Sequence, residues 1–280
     1  MIDIKDFSFA YKTTHVFDNI NLQFQKGAIY GLLGENGVGK TTLLKVISGL
    51  LRPTAGSCTV DDYTSFDRRP EFLQNIFLLP DEVPLPDSAT PNRFFGDLAP
   101  FYPKQDAAML SHLAGELHID LERKFKEMSF GQQKKSLLAC ALALNTDYLL
   151  LDEPTNGLDI PSKADFRRIL SERVSPDCKS GGTEQTIIIS THQVKDVENL
   201  IDPIIIISNN NVLLNASVEQ ITEKLYFEYG GQQRPDALYS EMMPGGYLNV
   251  LLNDGMGESQ INIEGLFNAV LRNPAKINML

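Results

Sequence analysis

Gly34-Glu35-Asn36-Gly37-Val38-Gly39-Lys40-Thr41-Thr42 follows directly on the apolar run Ala28-Ile29-Tyr30-Gly31-Leu32-Leu33 and leads into Leu43-Leu44-Lys45-Val46-Ile47. Glycine, four residues, then Gly-Lys-Thr is the spacing of a phosphate-binding loop set between a strand and a helix. Its glycines let backbone N–H groups turn inward with no side chain in the way. Lys40 can set a point charge between outer phosphates, and Thr41 can offer its hydroxyl to Mg²⁺. The helix that follows presents its positive end to the anion. An ordinary glycine-rich turn would explain the glycines, but not the full spacing together with the strand before it and the helix after it.

The chain that carries this loop has 280 residues, enough for one large α/β domain with a small appendage or for two modest domains. With 42% hydrophobic and 22% charged residues it has the composition of a globular protein, not of a disordered or fibrous one. A formal net charge of -11 argues against broad nucleic-acid binding, which recruits basic surfaces through counterion release, so no nucleic-acid partner is expected. Cys58, Cys140 and Cys178 are far apart and lack metal-ligand spacing, which fits a reducing cytoplasm. The N-terminus does not read as a signal peptide and no apolar run approaches the roughly 18 residues of a membrane span. Any membrane role is therefore expected through another chain.

Along the chain, Ile2, Ile4, Phe7 and Phe9 alternate, as do Ile20, Leu22 and Phe24, which predicts antiparallel strands ahead of the loop strand. Six prolines between Pro80 and Pro103 predict interrupted structure among Phe94, Phe95, Phe101 and Tyr102, with helical patterning resuming near Ala107. Tyr148-Leu149-Leu150-Leu151 and Gln185 to Ser190 read as strands buried on both faces of a parallel sheet. A helix near Lys163 to Val174 and a Pro-, Ser- and Gly-containing surface loop at Ser175 to Thr183 separate them, and a right-handed crossover is expected. Ile204 to Ile207 and Val212 to Leu214 flank Asn209-Asn210-Asn211 as a hairpin, and Ser217 with Gln220 offers a capping box. Beyond Tyr226, glycine-divided alternating segments and a helix at Ile263 to Leu271 predict a small terminal appendage.

Asp152 closes the first of those buried strands, which places its carboxylate in the crevice where α/β sheets bind ligands. There it suits Mg²⁺, and Glu153 beside it suits a proton acceptor for water attacking an outer phosphate. An acidic pair that merely ends a strand is the plainer alternative. Ser129-Phe130-Gly131-Gln132, ahead of the apolar helix Leu137 to Leu144, sets a hydroxyl and free N–H groups at a helix start, which is either an ordinary cap or a second anion site.

Taken in order, these motifs resemble the nucleotide-binding subunits of ATP-binding cassette (ABC) transporters over roughly the first 215 residues. Gly34 to Thr42 is similar to the family's Walker A loop, with Gly34, Asn36, Gly37, Gly39, Lys40, Thr41 and Thr42 as nucleotide contacts. Ser129, Gly131 and Gln132 resemble its signature, Leu149 to Glu153 its Walker B strand, Asn156 to Asp159 its D-loop, and Ser190-Thr191-His192 its switch histidine segment. Tyr11 falls where the family stacks an aromatic ring on adenine. The resemblance implies ATP and Mg²⁺ as cofactors, with Thr41, Asp152 and Asp81 as metal ligands. It also implies Glu153 and His192 as the hydrolytic pair, and Asp159 linking two sites across a head-to-tail homodimer around two ATP molecules. The implied fold is the P-loop NTPase α/β fold of ABC type: a mixed central sheet, an N-terminal antiparallel β subdomain and a helical subdomain at about 84–145, with a small C-terminal α+β appendage. The implied domains are an ATPase at 1–224 and an accessory region at 225–280. The implied work is ATP hydrolysis that drives separate transmembrane permease subunits from the cytoplasmic face of the membrane. A soluble ABC ATPase in nucleic-acid, translation or cofactor-assembly processes is the alternative, and a regulatory module with little turnover is a third.

Two positions depart from the family pattern. The family has glutamine after Leu-Pro, where this chain has Asp81 after Leu79-Pro80, and it commonly has glycine where this chain has Phe130. Asp81 adds negative charge and cannot donate as an amide does. Phe130 sets a side chain where a phosphate pocket and a dimer contact are expected. For the aromatic group Phe94, Phe95, Phe101 and Tyr102, core packing of the helical subdomain and docking of a membrane subunit are both open.

Overall fold

A computed structural model describes residues 1–174 and 185–277 of the chain. The N-terminal alternation becomes β1 (Ile2–Tyr11) and β2 (Thr14–Phe24), an antiparallel pair that leads into β3 (Ile29–Leu33). The register of β1 shifts between Ile4 and Phe7, which restores Phe7 and Phe9 to the buried face after two exposed residues. β4 (Ala55–Val60) pairs antiparallel with β1, and the short β5 (Tyr63–Thr64) completes a sheet of order β2-β1-β4-β5.

The central sheet adds β6 (Ile76–Leu79), β7 (Tyr148–Asp152), β8 (Thr186–Thr191), β9 (Ile204–Ser208) and β10 (Asn211–Ala216) to β3. Its order is β10-β9-β3-β8-β7-β6; β10 runs antiparallel to β9 and the rest are parallel. Every residue of β3, β7, β8 and β9 is buried, as continuous apolar runs require when both faces are covered. One face packs Tyr30, Leu32, Leu150, Ile188 and Ile205 against the β1–β2 sheet and α1 (Lys40–Ile47). After the short α2 (Pro70–Leu73) come α3 (Pro91–Leu98), α4 (Ala107–Glu116), α5 (Phe130–Ala143) and α6 (Ile160–Val174). The other face packs Leu33, Leu149, Leu151, Ile187 and Ile189 into one core with buried residues of α3 to α6. Gly31 sits mid-strand because a Cβ there would lie 2.1 Å from Ile201 Cδ1.

Ordered helix begins earlier than the proline count predicts. Pro91 occupies the first turn of α3, where its missing N–H is not needed, and Thr90 caps that turn by accepting from the Arg93 N–H at 3.2 Å. The Asn209–Asn211 turn is a β9–β10 hairpin with Asn209 and Asn210 at positive φ, and Ser217 and Gln220 form the capping box of α7 (Val218–Lys224). β11 (Leu225–Gly230), β12 (Tyr239–Met243) and β13 (Gly246–Leu252) form a separate antiparallel sheet of order β11-β13-β12. α8 (Ile263–Arg272) lies against β12 and β13 and continues the main core through Leu266, Ala269 and Val270. The expected loop at Ser175 to Thr183 lies outside the described residues.

Candidate functional site

The loop between β3 and α1 uses glycines at left-handed backbone angles and at close approaches. Gly37 and Gly39 have φ of 84° and 111°, and a Cβ on Gly39 would meet the Phe17 ring at 2.9 Å. A Cβ on Gly34 would lie 2.8 Å from the Ile207 carbonyl oxygen at the end of β9. The loop therefore presses onto the strand ends. Lys40 folds back over it, donating from Nζ to the carbonyl oxygens of Gly34 at 2.7 Å and Glu35 at 3.0 Å. Burial pushes the Lys40 ammonium below its ordinary pKa, and the nearby carboxylates of Glu153 and Asp152 pull the other way.

Parallel register brings the acidic and hydroxyl groups to the same edge. Asp152 on β7 is paired with Ser190 on β8. Its Oδ1 accepts from Ser190 Oγ at 2.5 Å and its Oδ2 accepts from Thr41 Oγ1 at 2.7 Å. Glu153 follows with φ 46°, a left-handed conformation that costs a non-glycine residue about 1–3 kcal/mol. That turn is held from both sides: the Glu153 N–H donates to the Ser190 carbonyl at 3.0 Å, and the Glu153 carbonyl accepts from Lys134 Nζ at 3.1 Å. The conformation aims the Glu153 carboxylate inward, with Oε1 3.5 Å from Lys40 Nζ and Oε2 2.9 Å from His192 Nδ1.

These groups line one cavity of about 530 Å³, with Tyr11, Thr14, Val16, Asn36, Gly37, Gly39, Lys40, Thr41 and Thr42 on one side and Asp81, Asp152, Glu153, Asn156 and His192 on the other. Tyr11 stands at the rim, half exposed, with its hydroxyl 3.3 Å from Thr42 Oγ1 and its ring edge-on to Phe9. Asp81 reaches the cavity, but not as a free metal ligand: Oδ1 is 2.5 Å from Lys134 Nζ and Oδ2 accepts from Asn156 Nδ2 at 3.3 Å. The hydroxyl of Thr41 and the carboxylate of Asp152, paired with each other in the cavity lining, are hard oxygen donors of the kind that could hold a Mg²⁺ ion.

The signature residues lie elsewhere. Ser129 and Gln132 spend their polar atoms on the capping box of α5, with the Gln132 N–H on Ser129 Oγ and the Ser129 N–H on Gln132 Oε1. Asp159 caps α6 by accepting from the Ser162 N–H at 2.9 Å, and those Ser162 hydrogen bonds hold its carboxyl below the ordinary value. Neither Asp159 nor Ser129, Gly131 or Gln132 lines the cavity of its own chain.

Sequence reasoning missed Lys134, Ser190 as the partner of Asp152, and the cavity role of Asn156. The β7–β8 register that makes Ser190 legible is a tertiary fact, whereas Lys134 carried one local signal, its position four residues after Phe130.

Known proteins resemble this chain in sequence and in fold. Residues 17–156 match the family model described as ABC transporter. The ABC transporter ATP-binding protein NatA of Bacillus subtilis is 31% identical over 218 residues, which are 76% of this chain and 86% of that protein. The ABC transporter ATP-binding protein YtrB of Bacillus subtilis is 28% identical over 224 residues, 80% of this chain and 74% of that one. The fold is similar to a solved dimeric ATP-binding cassette in a post-hydrolysis state bound to ADP and Pi, with TM-score 0.67 at 22% identity over 78% of this chain and 99% of that one.

Proposed function

The chain belongs to the ABC transporter family of ATP-binding proteins, and from that premise we propose that it binds Mg-ATP in the loop-centred cavity, hydrolyses it as one half of a homodimer and drives separate membrane subunits. The observation that carries this is convergence: Lys40, Thr41, Asp152, Glu153 and His192 come from α1, β7 and the end of β8, yet face one cavity.

In that cavity the backbone N–H groups of Gly37 and Gly39 and the Lys40 ammonium grip the phosphates, and Tyr11 offers its ring face at the rim to adenine. Thr41 and Asp152 would hold a Mg²⁺ ion, whose chemistry there would be to offset the negative charge of the phosphates. Glu153 takes the proton of the attacking water as its oxygen bonds the γ-phosphorus. The bond from that phosphorus to the bridging oxygen breaks, and its electron pair leaves with ADP. His192, bound to the Glu153 carboxylate, orients that base and contacts the γ-phosphate side.

Ser129, Gly131, Gln132 and Asp159 serve the partner copy's nucleotide under this proposal. The two-fold pairing of one surface satisfies both sites at once. Membrane subunits dock at a second hollow of about 520 Å³ lined by Leu50, Phe77, Leu98, Phe101 and Tyr102. The aromatic group divides there: Phe95 is buried, Phe94 and Tyr102 pack partly on the core, and Phe101 is 70% exposed. Among the described residues no helix is long and apolar enough to cross a membrane. The proposed station, beside separate membrane subunits, is peripheral at the cytoplasmic face. Residues 1–224 are the proposed ATPase unit and 225–280 its accessory region.

Calorimetry of purified protein with ATP, with and without Mg²⁺, and phosphate release in the same samples test the assignment. Mg-dependent binding and turnover are expected; ATP binding that is absent in both conditions would end it.

A further inference from the structure

Lys134 stands near the start of α5, four residues past Phe130, and its ammonium meets three groups at once. Nζ lies 2.5 Å from Asp81 Oδ1, donates to the Glu153 carbonyl at 3.1 Å, and sits 5.3 Å from the centre of the Phe130 ring. The Lys134 side chain is 10% exposed and Asp81 34%, so the ammonium is largely withdrawn from water while the carboxylate is partly solvated, and the pair is screened less than one on the open surface.

A carboxylate on that wall is a poor neighbour for a triphosphate, because like charges repel strongly where the dielectric is low. Asp152 and Glu153 already face the cavity, and Asp81 makes a third acid. Lys134 offsets that third charge from behind. The same ammonium lies over the face of Phe130, an i,i+4 neighbour on one side of α5. Phe130 in turn fills the space over Gly157, where an added Cβ would lie 2.4 Å from Phe130 Cε1. Asp81 and Phe130, the two departures from the family pattern, are thus joined through one side chain, and that side chain also holds the left-handed turn at Glu153.

Resting on the assignment of Mg-ATP to this cavity, we propose that Lys134 is a positioning residue of the ATP site. It neutralises Asp81, so that this third acid adds no net charge toward the phosphates, and it fixes the backbone from which Glu153 reaches the attacking water.

The test is a cycle of four proteins, the parent, Lys134→Met, Asp81→Asn and the double variant, read by Mg-ATP affinity, by KM and kcat, and by thermal melting. Lys134→Met is expected to weaken Mg-ATP binding about tenfold, or about 1.4 kcal/mol, with a matching rise in KM. Adding Asp81→Asn is expected to bring affinity back to within about threefold of the parent, since neighbouring charges couple non-additively. Lys134→Arg is expected to keep parental affinity. If Lys134→Met melts too low to assay, recovery of folding in the double variant is the same test. A double variant no tighter and no more stable than Lys134→Met overturns the proposal, as does parental affinity in Lys134→Met itself. Lys40→Ala in the same series separates the two assignments. If it binds ATP like the parent, the nucleotide site is misassigned, while the Asp81–Lys134 coupling is still read in the melting data.

Discussion

The loop side of the molecule and the signature side are built on opposite plans. Around Gly34–Thr42, groups from α1 and from the ends of β7 and β8 turn toward one another, and Lys40 is only 6% exposed among them. Around Ser129–Gln132 the polar groups are consumed locally: Ser129 and Gln132 cap α5, Asp159 caps α6, and Phe130 is half exposed. The first region is a finished grip on a polyphosphate. The second is a preformed helix start facing outward, whose fixed N–H groups suit an anion brought by another molecule. Under the proposed function, a single copy carries the whole of binding and one half of hydrolysis.

That contrast breaks first at Glu153. Glu153→Gln keeps the shape of the side chain but not its basicity, so phosphate release is expected to fall about 10²- to 10⁴-fold while Mg-ATP affinity stays near the parent's. Equal turnover would remove Glu153 as the base. Lys40→Ala strikes the binding half instead: loss of a charge-assisted phosphate contact is expected to weaken ATP binding by roughly 100-fold in calorimetry. Ser129→Ala tests the outward half. It removes a helix cap, lowering stability by about 1 kcal/mol in denaturant melts, and is expected to lower phosphate release while leaving ATP affinity of the single copy unchanged. If affinity and turnover fell together, the two regions would not be separable.

The smallest effect is acid dependence. The Asp159 carboxyl is held below its ordinary value by Ser162, so its folded pKa lies under the unfolded one. The stabilisation it gives is present above the ordinary carboxylate range and is lost as pH falls through the folded value. Melting temperature against pH is expected to drop less steeply at the acid end for Asp159→Asn than for the parent.

What was legible in the sequence is what local chemistry decides. The glycine spacing, the continuous apolar strand before Asp152, the helix cap at Ser129 and the capping box at Ser217 each lie within a few residues, and each takes the form its residues demand. The order of these motifs carried the resemblance, which implied the mixed central sheet; of the site residues it implied, Tyr11, Lys40, Thr41, Asp152, Glu153 and His192 line the cavity, whereas Ser129, Gly131, Gln132 and Asp159 do not. What was not legible depends on distant pairing. Asp81 meets Lys134 across 53 positions, Asp152 meets Ser190 across 38, and the left-handed turn at Glu153 exists because both neighbours hold it. Pro91 misled because proline breaks a helix in its interior but fits its first turn.

Hydrolysis as proposed requires that ATP join two copies of the chain. Light scattering of the Glu153→Gln protein with saturating Mg-ATP, against the same protein without nucleotide, measures this directly. A shift to twice the mass, abolished by Lys40→Ala, is the expected result. A mass that stays at one copy under saturating Mg-ATP contradicts it.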